Sequence, residues 1–184
     1  MTRLHLIRHG ETDWNLEGRW QGQTDVPLNG RGRLQAEQTA VWLAGEELAA
    51  VYSSDLKRAV ETARLIAQPH GVQVIIDARL RETHLGLWEG MLLSEIEAKY
   101  QKEFEARRSD PLRMAPPGGE NTRQVRERVL AAIQDIVAMY PHSPVAVVSH
   151  GYALAVVRSH FLGIPVERML ELVPQNGEII VLDV

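Results

Sequence analysis

The chain has 184 residues, 45% of them hydrophobic and 24% charged, with a formal net charge of −4 at pH 7 and no cysteine. That size and balance predict a single globular domain, 1–184, with a full core, and the missing thiol excludes disulfides, thiolate nucleophiles and cysteine-held zinc or iron–sulfur centres. Mild acidity without a block of like charge argues against nucleic acid or a basic membrane patch, and no apolar run approaches the roughly 18 residues of a bilayer span; with no leader pattern at the N-terminus, the expected location is the cytoplasm.

Short apolar stretches alternate with helical periodicity, the pattern of an α/β fold. The spacing predicts a first strand over 3–7, with His5 as a core or sheet-edge residue, then a loop punctuated by Gly18, Gly22 and Pro27. Asn29-Gly30 reads as a turn, and the helix after it, to about residue 46, presents Leu34, Ala36, Ala40, Leu43 and Ala44 as its apolar face. A second strand, 49–53, ends in Ser-Ser-Asp, an N-cap sequence for a helix over about 55–68, and a third strand follows at 72–76. Residues 80–90 are a glycine-punctuated loop. Helices over about 93–107 and 121–139 are separated by Pro111, Pro116, Pro117, Gly118 and Gly119, a stretch too short to divide the chain. Residues 144–149 are apolar almost throughout and read as a central strand covered on both faces. A helix to about Leu162 and a last strand over 178–182 complete the pattern, a three-layer α/β/α arrangement around a mostly parallel sheet.

The first and fourth strands both stop at His-Gly. Ligands of an open α/β sheet bind beyond the carboxyl ends of its strands, so His9 and His150 are expected at one edge. Arg8 is a planar permanent cation suited to phosphate. The neutral ring of His9 is a nucleophile accessible near pH 7, and Gly10 lets a bulky anion approach the backbone. Arg58, one turn into its helix, either reaches over the strand ends or lies on a solvated face. Reading His9-Gly10-Glu11 as the H-x-E of a zinc deaminase fails, because the cysteine partners of that motif are absent. Trp14, Trp20, Trp42 and Trp88 read as packing or pocket walls, Glu89 as a residue that fixes its loop, and Glu120 as a loop or cap residue. His84 either lines the pocket or packs beneath it.

Leu-Ile-Arg8-His9-Gly10-Glu-Thr-x-Trp-Asn15 resembles the signature of the histidine phosphatase superfamily, the phosphoglycerate-mutase-like proteins. Ser-Ser-Asp-Leu-Lys-Arg58-Ala-x-Glu-Thr-Ala is similar to the family's second phosphate-binding segment, and Leu-Arg-Glu82-Thr-His-Leu-Gly-x-Trp-Glu-Gly to its acid-bearing loop. Pro-Pro-Gly-Gly-Glu-Asn and Val-Val-Ser-His150-Gly complete five blocks in family order. The resemblance implies that His9 attacks phosphorus and becomes phosphohistidine, while Arg8, Asn15, Arg58 and His150 bind the equatorial oxygens. It implies Glu82 as general acid and then base. Gln21 and Gly22 would contact substrate or phosphate, and Gly151 would offer its N–H at a helix start. No metal and no cofactor enter this scheme, since arginines supply the positive charge.

Glycolytic mutases of the family carry Arg after the acid and Tyr two residues further on, with a longer insertion and a C-terminal tail. Here Thr83 and Leu85 occupy those positions and the chain stops after its last strand, so the expected activity is hydrolysis of a small phosphomonoester. The resemblance points to the bacterial branch of broad-specificity, α-ribazole and metal-independent phosphoserine phosphatases. Mutase-type transfer and a catalytically silent phosphate-binding module are the alternatives. Substrate choice is expected in a helical lid over 91–117, where Arg107, Arg108 and Arg113 would favour small anionic esters. An edge strand or apolar helix face leaves room for a homodimer that nothing in the sequence requires.

Overall fold

The computed structural model describes all residues from Met1 to Val184. Five strands form one sheet: β1 (Arg3–Arg8), β2 (Ala50–Ser53), β3 (Val74–Ile76), β4 (Pro144–Ser149) and β5 (Ile179–Asp183). Their order is β3-β2-β4-β1-β5; β5 alone runs antiparallel, at the edge beside β1. The sheet is therefore mostly parallel, and β4, buried from Val145 onward, is its centre, as a continuous apolar strand requires.

Alternation along the strands divides the core. Leu4, Leu6, Val145 and Val147 face one layer, built on helices α6 (Thr122–Met139) and α7 (Gly151–Leu162). Ile7, Val51, Ala146 and Val148 face the other, built on α2 (Gly30–Leu43) and α3 (Lys57–His70). His5 shares that second face, 1% exposed, with Nε2 3.5 Å from Glu46. It is a core histidine of the sheet. No helix is long and apolar enough to cross a membrane.

Several local expectations are corrected. α2 ends at Leu43, and its buried stripe is Gly32, Ala36, Thr39, Ala40 and Leu43. Leu34 falls between those positions and is exposed, as is Ala44 beyond the helix end. The Ser-Ser-Asp run does not cap α3, which begins at Lys57 with no side-chain cap from its preceding residue. Asp25, from the first loop, accepts the Lys57 N–H at 2.7 Å instead, because Ser54 and Asp55 are committed elsewhere. The first loop contains a short helix, α1 (Asp13–Glu17), closed by a capping box between Thr12 and Asn15. The helix predicted over 93–107 breaks at Tyr100 into α4 (Leu93–Lys99) and α5 (Gln101–Ser109). β3 is shorter than predicted, and Trp42 is 59% exposed rather than packed.

Of the two readings of Gly10, an opening for an anion and a backbone device, the structure bears out the second. A Cβ there would stand 2.2 Å from the Gly32 carbonyl oxygen, and one on Gly32 would stand 2.0 Å from the Glu11 carbonyl oxygen. The two glycines let the chain after β1 cross the first turn of α2 at backbone contact. The space beside Gly10 is filled by protein, not left for an anion.

Candidate active site

β1 and β4 pair in parallel with Arg8 opposite Ser149, so His9 and His150 leave neighbouring strands at the same edge. Their ring centroids lie 5.1 Å apart and both residues are buried. The His9 Nδ1 is 2.7 Å from the Gly10 carbonyl oxygen. A carbonyl only accepts, so Nδ1 carries the proton and the lone pair lies on Nε2. Burial, followed by the charges of Arg58 and Arg8, holds the His9 pKa well below its usual 6.5. His150 is likewise held well below 6.5, by burial and then by Arg58 and the other cations around it. Both rings are neutral near pH 7.

Arg58 is 1% exposed, which removes the solvated-face alternative. Its Nη1 and Nη2 donate to the carbonyls of Thr24 and Gly22, each at 2.7 Å, and its Nε donates to His9 Nε2 at 3.3 Å. Burial pushes its pKa down to about 10, so it stays cationic at neutral pH. Gly22 thus anchors the guanidinium through its carbonyl. Arg8 is tied by Nη1 to the Pro174 carbonyl at 2.7 Å, and its Nε is buried without a partner. Gly151 is small for this reason: a Cβ there would press on Val173 and on the Arg8 guanidinium at 3.1 and 3.4 Å.

The Glu82 carboxylate rests on the first turn of α7, accepting the N–H groups of Tyr152 and Ala153 at 3.0 and 3.1 Å as well as that of Thr83. The Gly151 N–H, expected as an anion donor, remains unpaired beside them. Asn15 Oδ1 accepts from Thr12 and from Asn176, which leaves its amide N–H groups as the open donors. Gln21 Oε1 shares the Thr12 hydroxyl in the same way.

Arg8, His9, Asn15, Gln21, Gly22, Arg58, Glu82 and Gly151 line one cavity of about 730 Å³; His150, 0% exposed, is not on its wall but lies beside the His9 ring. Its outer part is walled by Trp20, Phe104, Arg107 and Met169 among others. Trp20, Trp88 and Phe104 stack edge-on or tilted at 5.9–6.2 Å and tie α5 to the loop that follows Glu82. Arg107 is 9% exposed, donates to the Glu120 carbonyl at 3.0 Å, lies over the Tyr152 ring, and has no carboxylate within ion-pair distance. His84 is outside this wall, 44% exposed at its side chain, with Nε2 3.7 Å from Glu89. Glu89 does join two loops, accepting from Gln23, Thr24 and Leu85. A second groove, about 580 Å³ between α3 and β3, holds neither histidine.

Two residues around the site escaped the sequence reading. Arg128 donates to both oxygens of Glu120 and to the carbonyls of Arg79, Arg81 and Glu82, so α6 holds the backbone that carries the acid. The signal was present: Arg128 lies three residues after Val125 and four before Ala132, on the buried stripe of α6, where an arginine needs acceptors. Ser54, whose hydroxyl is 2.7 Å from His150 Nε2, was hidden in the expected N-cap.

Comparison with known proteins bears on the family. Residues 4–184 match the histidine phosphatase superfamily (branch 1). A glucosyl-3-phosphoglycerate phosphatase of Mycolicibacterium vanbaalenii is 40% identical over 172 residues, 90% of this chain and 76% of that protein. A probable phosphoglycerate mutase GpmB of Cronobacter sakazakii is 39% identical over 178 residues, 94% of this chain and 81% of that protein. Among solved structures, Bacillus stearothermophilus YhfR superposes with a TM-score of 0.91 at 36% identity, covering 100% of this chain and 92% of the other. Likeness of this extent, in sequence and in fold, shows that the chain belongs to the histidine phosphatase superfamily, branch 1, whose phosphatases hydrolyse phosphomonoesters.

Proposed function

We propose that the enzyme dephosphorylates a small, carboxylate-bearing metabolite through a phosphohistidine on His9. The observation that carries the mechanism is the neutral His9 ring, with Nδ1–H fixed on Gly10 and its Nε2 lone pair beside a buried arginine. The monoanionic ester brings a proton that passes to the Glu82 carboxylate; Nε2 attacks phosphorus, the bond from phosphorus to the ester oxygen breaks, and Glu82 gives that proton to the departing oxygen. Arg8, Arg58, Asn15 and His150 stabilise the charge that gathers on the three equatorial oxygens. Glu82 then takes a proton from water, which attacks the phosphohistidine. The N–P bond breaks, inorganic phosphate leaves, and His9 is again neutral. The positive charge comes from guanidinium groups, and no three His, Asp or Glu side chains are grouped to hold a metal ion.

Arg107 supports the substrate class. Arg107, 9% exposed and with no carboxylate partner, stands on the wall of the cavity, and a substrate carboxylate would complete the pair. Glucosyl-3-phosphoglycerate and phosphoglycerate, named for the two relatives, both carry one. Hydrolysis is favoured over mutase transfer because Thr83 and Leu85, both on the cavity wall, are uncharged, and Leu85 packs with Trp88 and Ile96. Neither supplies the positive charge that a second anchor for a rebinding bisphosphorylated intermediate would require.

The test is turnover of p-nitrophenyl phosphate and a panel of phosphomonoesters in EDTA. Wild type should turn over without metal, His9→Ala should lose activity by more than about 10³-fold, and acid-labile phosphate should be trapped on His9. Arg107→Met should lower kcat/KM for carboxylated esters by roughly 10- to 100-fold and leave neutral esters within about threefold. Equal losses on both classes would remove the carboxylate assignment. Turnover only as interconversion of 2- and 3-phosphoglycerate in the presence of 2,3-bisphosphoglycerate would replace the phosphatase reading with the mutase.

A further inference from the structure

His150 has one contact to explain and one atom without a partner. Its Nε2 is 2.7 Å from the Ser54 hydroxyl oxygen, and its Nδ1 is buried with no hydrogen-bond partner. Both residues are 0% exposed. Ser54 follows the last residue of β2, its N–H held by the Val148 carbonyl of β4 at 3.2 Å. The strand pairing therefore sets where the hydroxyl points.

A neutral imidazole has one N–H and one lone pair, and a hydroxyl has one proton to give. Two assignments satisfy the Ser54 contact. If the ring proton were on Nε2, it would donate to Ser54 Oγ. The serine proton would then have no acceptor in the protein, because Ser54 Oγ has no other partner. The Nδ1 lone pair would be stranded as well. If Ser54 donates to Nε2, the ring proton is on Nδ1 and a single group is left over, an N–H donor. Buried donors and acceptors left unpaired are costly, so the second assignment is favoured in the empty site. It is favoured further when an anion arrives, since an oxygen of a phosphoryl group is attracted by N–H and repelled by a lone pair.

We propose that Ser54 is a positioning residue that locks His150 in its Nδ1–H tautomer, so that the ring meets the phosphoryl group as a hydrogen-bond donor while remaining uncharged. Two neutral histidines thus sit side by side in opposite roles. The Gly10 carbonyl fixes the tautomer of His9 and leaves it a lone pair at Nε2, and the Ser54 hydroxyl fixes the tautomer of His150 and leaves it a proton at Nδ1. The role left to each ring's second nitrogen, acceptor at His9 and donor at His150, is dictated by the bond its other nitrogen makes. Burial and the Arg58 charge, which keep His150 neutral, are what make the choice of tautomer matter. The proposal rests on the reading that the phosphoryl group is transferred to His9.

Long-range nitrogen–proton NMR on histidine-labelled enzyme distinguishes the two neutral tautomers and the cation, with His150 assigned by the signals lost in His150→Asn. Wild type at pH 7 should show His150 protonated at Nδ1 alone. In Ser54→Ala the ring should move to a mixture containing the Nε2–H form, and kcat/KM for p-nitrophenyl phosphate should fall roughly 10- to 100-fold. An Nε2–H or doubly protonated ring in wild type overturns the proposal, and so does an unchanged tautomer with unchanged turnover in Ser54→Ala. If the variant does not fold, the wild-type tautomer decides alone. None of these spectra requires turnover, so the result is separate from that of His9→Ala, which tests the phosphatase reading itself.

Discussion

Glu82 is asked to do two things that separate cleanly by substrate. Its carboxylate is oriented by three backbone N–H groups, and in the proposed cycle it first gives a proton to the departing oxygen and then takes one from water. Glu82→Gln keeps the shape and most of the acceptor capacity but can neither give nor take that proton. For an alkyl phosphomonoester, whose leaving oxygen is strongly basic, the first step should fall by roughly 10²- to 10⁴-fold. For p-nitrophenyl phosphate, whose leaving group departs unaided, the first step should survive while water attack does not. The variant should therefore release a burst of nitrophenol close to one per active site and accumulate phosphohistidine, as rapid-quench measurement would show. Slow turnover with no burst would mean that Glu82 acts only before the phosphoenzyme forms.

At the scale of elements, the site depends on where four elements meet. β1 and β4 deliver the histidines, α7 receives the carboxylate on its first turn, and the first turn of α2 lies directly against the chain beyond His9. Gly32 makes that crossing possible, and helix propensity alone misjudges it. Replacing a helical glycine with alanine normally stabilises by about 1 kcal/mol. In Gly32→Ala the new Cβ would meet the Glu11 carbonyl oxygen at 2.0 Å, so the expected outcome is net destabilisation of about 1–3 kcal/mol in urea unfolding, with reduced turnover because His9 is two residues away. Gly30→Ala, two residues earlier in the same turn with nothing within 4 Å of its Cβ, should be neutral or slightly stabilising. The pair also marks what the sequence could convey. The α/β pattern, the mostly parallel sheet and the shared edge of His9 and His150 followed from apolar runs alternating with helical periodicity and from terminal His-Gly. The break at Tyr100, the capping of α3 by Asp25 and the crossing at Gly32 did not, because each is decided by an atom from a distant segment. Arg58 is the intermediate case: its chain position was readable, but its burial depended on carbonyls of the first loop, at Gly22 and Thr24.

At the scale of the whole molecule, the neutral histidines link the site to acid stability. His5, His9 and His150 are all buried with pKa values lowered from 6.5, in each case by burial first. For His5 the nearby Glu46 carboxylate opposes the shift, so His9 and His150 carry most of the effect. In the unfolded chain each ring titrates near 6.5. Below that pH and down to the lower folded value, the unfolded state binds more protons than the folded one, so stability falls as pH falls. The loss is up to about 1.4 kcal/mol per pH unit for each ring that differs by a full proton. Carboxylates act in a lower window. Asp55, lowered by its hydrogen bonds with Arg81, contributes its full stabilisation above its unfolded value and loses it only as pH drops from about 4. Urea unfolding should therefore show stability nearly level above pH 7 and falling as pH drops below about 6.5. His9→Asn, which removes one titrating ring, should reduce that slope by up to about 1.4 kcal/mol per pH unit. A slope unchanged by the substitution would mean that His9 takes up its proton at the same pH folded and unfolded, so that burial beside Arg58 and Arg8 does not hold the ring neutral below pH 6.5.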